Sequence, residues 1–235
     1  MVKKKNGGAY NMKSINNYIS EKLVINRNTG KRHYNYIPKT KYELQDIIEQ
    51  RIKKEGNECN LNDIDVSEIT NMSFLFKGSK FNGNISEWDV SNVTDMDSMF
   101  YYSEFNGDIS GWNVGNVKNM KYMFDGAEFN QDISKWDVSN VEDMDSMFYS
   151  SEFNQDISEW NVCNVTNMID MFAHSEFNQD ISKWDVSNVT KMDWMFAFSK
   201  FNQDISKWNV SNVKYMNYIF TNSPLFEKEK EWWGR

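Results

Sequence analysis

Trp88, Trp112, Trp136, Trp160, Trp184 and Trp208 recur every 24 residues, and Ile64 fills the same slot one unit earlier. A period this short restricts the chain to a stacked-repeat architecture, because one unit cannot cover its own apolar face and must use its neighbours to do so. Read from the tryptophan, the unit is W-[DN]-V-[SGC]-N-V-x-x-M-x-x-M-F-x-x-[SA]-x-F-N-x-D-I-S-x. Trp136 to Glu159 match it throughout, and seven copies run from about Leu61 to Leu225. The 14 methionines, 9 tryptophans and 16 phenylalanines, set in a chain of negative mean hydropathy, are therefore a few apolar positions used many times.

Within a unit, Ile133-Ser134-Lys135-Trp136-Asp137-Val138 approximates L-x-x-L-x-L, which predicts a short strand over Lys135 to Ser139. Trp136 and Val138 would point inward, and Lys135, Asp137 and Ser139 outward. After Val141, the i, i+3, i+4 spacing of Met144, Met147 and Phe148 predicts one or two helical turns. One strand per unit of 20 to 29 residues is the size class of leucine-rich repeats. The expected fold is thus an α/β repeat solenoid, a leucine-rich-repeat-like array of about seven coils, each a short strand plus a short helical turn. Asn82 through Asn202 and Asn92 through Asn212 form two columns at the same period, positions where asparagine can bond backbone groups in turns.

The ends differ from the array. Residues 1–38 read as a basic arm, with a short helix over Ser14 to Lys22 and a hairpin pairing Lys22–Ile25 with His33–Ile37. Residues 39–60 read as an N-terminal cap: Thr40-Lys41-Tyr42-Glu43 is a capping box, and Leu44, Ile47, Ile48 and Ile52 share a face until Gly56 ends the helix. Residues 61–225 are the array. Residues 226–235 are a C-terminal cap, where Pro224 stops the repeat and Leu225, Phe226, Trp232 and Trp233 supply apolar cover. Residues 1–41 hold ten basic side chains and one acidic one, a net of +9, which leaves −17 for the rest of a chain whose total is −8. The arm could dock on an anionic partner or neutralise its own acidic array; its basic residues match no nucleic-acid motif.

The W-D-V-S-N-V, M-x-x-M-F and F-N-Q-D-I-S segments resemble those of the BspA-like leucine-rich-repeat surface proteins, over most of the chain. That resemblance implies an attachment or recognition role, no enzyme, and no fixed set of active residues. It also implies surface display. However, no apolar run of signal-peptide length follows Met1–Gly8, and no stretch approaches the roughly 18–20 apolar residues of a membrane span. The expected location is therefore the cytoplasm or a phage or virus particle.

Positions fixed by stacking repeat, whereas surface positions vary, so variation marks candidate contacts. One variable strip carries Tyr101, Tyr102, Tyr122, Tyr149, Trp194, Phe198 and Tyr218, aromatic types enriched where proteins meet proteins. A second, on the expected strand face, is of mixed charge and includes Lys135, Asp137, Lys183 and Asp185. Both are candidate surfaces for a protein partner. Asp108, Asp132, Asp156, Asp180 and Asp204 form an unalternating column that either accepts backbone N–H bonds in Asx turns or binds calcium. The first option suits one carboxylate per coil better. Cys59 and Cys163 have neither zinc nor redox spacing. His33 and His174 sit in unrelated contexts, and no catalytic set recurs. The expectation is a binding protein without cofactor, metal or small-molecule substrate, or alternatively a structural, virion-attached spacer anchored by its arm.

Overall fold

The structure is a computed structural model and describes residues 33–234. The helix expected over Ser14 to Lys22 and the first strand of the expected hairpin lie outside these residues. Tyr36, from the second strand of that hairpin, forms a parallel bridge to Ile64 of the first coil, with the Asn35 N–H donating to the Asp63 carbonyl at 2.8 Å.

Two helices are present among the described residues, α1 (Lys41–Glu55) and α2 (Lys228–Trp233). Thr40 caps α1 by accepting from the Glu43 amide at 3.2 Å. The Glu43 carboxylate reaches back to the Lys39 amide at 2.7 Å, one residue earlier than a strict capping box requires. Leu44 and Ile48 are buried in the core, and Arg51 ties α1 to the first coil through Asp63 at 2.8 Å and the Asn60 carbonyl at 2.8 Å. At the far end, Trp232 and Trp233 of α2 pack on Phe220 at 6.0 and 5.8 Å, whereas Phe226 is exposed.

Between the helices, the chain winds as a stack of 24-residue coils, joined by isolated parallel bridges such as Asn119↔Asp143 and Asp143↔Asn167. The expected α/β solenoid of repeated strand-and-helix coils is not what forms. No strand and no helix occurs inside the repeats, and each coil is built from turns.

The reason lies in where the amides go. Along the expected strand, the Ser134 N–H is taken by Asp132 Oδ1, Trp136 N–H by the Ile133 carbonyl, Ser139 N–H by Asp137 Oδ1 and Val141 N–H by the Val138 carbonyl. Asx and β-turns thus consume the donors that a strand would offer its neighbours. Along the expected helical turns, alternate amides behave differently. Those of Met147, Tyr149 and Ser151 close four-residue β-turns onto Met144, Ser146 and Phe148, while those of Ser146, Phe148 and Ser150 cross to Ile169, Met171 and Ala173 of the next coil. An α-helix would keep every amide within its own segment. Consecutive turns bring side chains back to the core at three- and four-residue intervals, which is why the sequence imitates a helix.

This winding has a backbone requirement. Phe74, Ser98, Tyr122, Ser146, Asp170, Trp194 and Tyr218 have φ of 52–62°, and the residues four further on, Gly78, Tyr102, Gly126, Ser150, His174, Phe198 and Asn222, have φ of 49–63°. In the turns Met144–Met147 and Phe148–Ser151 these are the third residues, where a type II turn needs positive φ. Every non-glycine residue with positive φ among those described belongs to one of these two columns.

The core is a set of ladders running through the stack. Trp136 and Val138 are buried, with Lys135 and Asp137 exposed, so the inward and outward sides fall as expected even though the strand does not form. Phe100 stacks on Phe124 at 5.6 Å, and Phe129 on Phe153 at 6.3 Å. Trp112, Trp136, Trp160, Trp184 and Trp208 also donate Nε1–H to an isoleucine carbonyl one coil back, as from Trp136 to Ile109 at 3.2 Å, and Trp88 donates to the Leu61 carbonyl, so the indole satisfies a buried backbone acceptor that leucine could not. The asparagine columns lock the register: Asn154 N–H donates to Asn130 Oδ1 at 2.9 Å, and Asn140 Nδ2–H to the Gly115 carbonyl at 2.6 Å.

Candidate functional site

The two left-handed columns lie on the outside of the stack and carry most of its exposed aromatic side chains. Phe74, Tyr102, Trp194, Phe198 and Tyr218 are exposed, and Tyr122 is half-buried. Tyr101 and Tyr149, one residue before the second column, are half-buried beside them. Tyr101 packs on Tyr102 at 4.7 Å and on Tyr122 at 6.2 Å, forming one group. His174 joins Tyr149 at 5.3 Å to Phe198 at 4.6 Å, and Trp194 meets Tyr218 at 4.5 Å. All seven aromatics singled out from the sequence thus fall on the surface these columns form, in three contact groups: Tyr101 with Tyr102 and Tyr122, Tyr149 with Phe198 through His174, and Trp194 with Tyr218. Gly126 has a φ of 61°, and a Cβ there would lie 2.9 Å from the Tyr102 ring, which would have to shift.

Sequence reasoning missed Phe74 and His174, although both occupy the same repeat positions as the aromatics it selected. Lys77 lies over the rings of Phe74 and Tyr101, and Lys121 over Tyr122 at 4.8 Å. Three carboxylates on this surface were missed as well. Asp125 and Asp145 are buried and Asp170 half-buried. Burial, reinforced by Asp170 and Asp145, pushes Asp125 up to about 7, and burial with Asp145 and Asp193 pushes Asp170 up to about 6. Asp145 has a partner in Lys121 at 3.2 Å. Nothing in their spacing marks these aspartates, since each stands at a variable position of a different coil.

The mixed-charge strip is separate from the aromatic surface. Asp137 and Asp185 accept the amides of Ser139 and Ser187, Lys183 pairs with Glu159 at 3.1 Å, and Lys135 is exposed. No hydrogen bond, ion pair or ring contact among the described residues links this strip to the aromatics. The Asp108–Asp204 column is self-satisfied: each Oδ1 accepts the amide two residues on, at 2.9 Å from Ser110 through Ser206. Those bonds hold its carboxyls below their ordinary range. Among the described residues no group of three or more His, Cys, Asp or Glu side chains could hold a metal ion, and no helix is long and apolar enough to cross a membrane. The buried Cys59 thiol is pushed up by desolvation, and Cys163 is half-buried; both are free.

A regular stack of 24-residue coils with one aromatic-rich outer surface defines a repeat protein. The chain belongs to the family described as "Mycoplasma protein of unknown function, DUF285", whose profile matches residues 45–153 and again 149–234. Comparison with curated proteins and with solved structures finds no match.

Proposed function

We infer that the stack is a non-enzymatic scaffold that recognises another protein through its aromatic surface. The observation that carries this reading is the placement of Phe74, Tyr102, Tyr122, Trp194, Phe198 and Tyr218 at left-handed positions. A non-glycine residue there costs roughly 1–2 kcal/mol of backbone energy. Glycine fills two of these positions, Gly78 and Gly126, so the turns themselves do not need aromatic side chains. Large apolar groups kept exposed against that cost, clustered on one surface, fit a contact for a protein partner. The resemblance to BspA-like surface proteins, with their attachment role, agrees with this reading.

The experiment is a comparative pull-down from the native source with the full chain and with a Tyr102→Ser, Trp194→Ser, Tyr218→Ser variant shown to be monodisperse and to melt cooperatively. Partners enriched by the parent and lost by the variant support recognition through this surface. Identical partner sets would overturn it, and partners lost only on deleting residues 1–41 would favour a spacer held by its basic arm.

A further inference from the structure

The outer columns give the stack a direction. In every coil but the last, amides at alternating positions donate to carbonyls of the following coil, as from Met192, Trp194, Phe196 and Phe198 to Tyr215, Asn217, Ile219 and Thr221 at 2.7–3.0 Å. The last coil has no follower, and the equivalent amides of Met216, Tyr218, Phe220 and Asn222 meet no acceptor among the described residues. This edge offers donors alone, because the carbonyls of Tyr215, Asn217, Ile219 and Thr221 are turned back to the preceding coil. Phe220 lies under the rings of Trp232 and Trp233, but Tyr218 is 60% exposed and Asn222 is exposed too, so the row is open at these two.

Aromatic rings stand directly beside the open donors. Tyr218 follows Trp194 in the first left-handed column, where their rings meet at 4.5 Å, and Asn222 follows Phe198 in the second. Trp194 and Phe198 are 36% and 43% exposed, so a partner can reach them. The Trp194 indole also differs from the six in the core. Each of those donates Nε1–H to a backbone carbonyl, whereas Nε1–H of Trp194 meets no acceptor among the described residues.

Exposed rings set among donors without acceptors select a ligand chain of matching chemistry. An ordinary extended strand presents N–H and C=O groups in turn along its edge, so half of them would face like donors here. Proline has no N–H, and a proline-rich chain offers carbonyls on a preformed polyproline II helix that docks against aromatic side chains. We propose that the C-terminal end of the aromatic surface, formed by Trp194, Phe198, Tyr218 and Asn222, docks a proline-rich segment of the protein partner. Trp194 Nε1–H and the amides of Tyr218 and Asn222 donate to its carbonyls, while the three rings hold its pyrrolidines. This rests on the recognition reading above and narrows it to one end of the surface and one chemistry of partner.

The probe is decaproline, acetylated and amidated so that the acidic array exerts no pull on a net charge, beside an equally neutral threonine–serine peptide of the same length. Titration of the full chain is followed by amide and indole resonances and by calorimetry. Decaproline should move the Tyr218 and Asn222 amides and the Trp194 indole most, and should bind at least about tenfold more tightly than the control peptide. Trp194→Ser should weaken it by about tenfold or more, and Trp194→Phe, which keeps a ring and loses the donor, by about threefold or more. Both variants are first shown to melt cooperatively. Equal binding of the two peptides, no binding, unchanged affinity in Trp194→Ser, or shifts spread evenly over the array would overturn the proposal. A native partner lost from the Tyr102, Trp194, Tyr218 variant but not displaced from the parent by decaproline would overturn it while leaving the recognition reading standing.

Discussion

Alanine and glycine at position 150 distinguish a turn-built coil from a helical one by sign alone. Ser150 is exposed, has φ of 49°, and occupies the column in which Gly78 and Gly126 already stand. Ser150→Ala and Ser150→Gly both remove the hydroxyl, so its contribution cancels in the comparison. In the left-handed region alanine costs roughly 1–2 kcal/mol that glycine does not. Glycine's freer unfolded chain returns about 0.4–1 kcal/mol of that advantage. Ser150→Gly should therefore be the more stable by about 0.5–1 kcal/mol, or a melting temperature higher by about 1–4 °C for a domain of this size. Were the segment helical, alanine would instead be favoured by about 1 kcal/mol. Thermal melting of the two variants side by side is the assay. A higher melting temperature for Ser150→Ala would refute the two-column backbone.

Trp136, 3% exposed and bonded to the Ile109 carbonyl, should cost about 3–5 kcal/mol as Trp136→Ala and about 1–3 kcal/mol as Trp136→Phe, which strands that carbonyl and leaves a smaller void; chemical denaturation measures both. The Asp108–Asp204 column uses its Oδ1 atoms on local amides, so chelator should leave the melting temperature unchanged, and a large drop reversed by calcium would contradict this. Asp125 titrates at about 7 when folded, above its unfolded value of about 3.9, so its stabilising effect is complete below about pH 4 and lost as pH rises through about 7. Asp125→Asn should flatten that part of the melting profile, and parallel profiles for the two proteins would contradict the assignment.

The stacking was legible because it is written as spacing: the tryptophan, valine, methionine and phenylalanine ladders and both asparagine columns fall where the period puts them. The path within each coil was not. Met144, Met147 and Phe148 have helical spacing, but a run of turns returns side chains to the core at the same intervals, so periodicity cannot separate the two. The discriminating residues are the variable ones, whose φ is set by bonds to the next coil rather than by their own identity; Trp194 and Phe198 give no local hint of a left-handed backbone. Aspartates in the D-I-S segments announced their turns through the serine amide two residues on. Asp125 and Asp170 gave no such signal, because what perturbs them comes from other coils.

The central claim is that a protein partner meets the aromatic surface rather than the mixed-charge strip. A photo-crosslinking amino acid placed singly at positions 102, 198, 135 and 183 of the full chain, activated in extracts of the native source, tests this most directly. The account predicts a discrete protein adduct of one mass from positions 102 and 198 and none from 135 and 183. The same adduct from 135 and 183 alone, or no discrete adduct from any position, would contradict it.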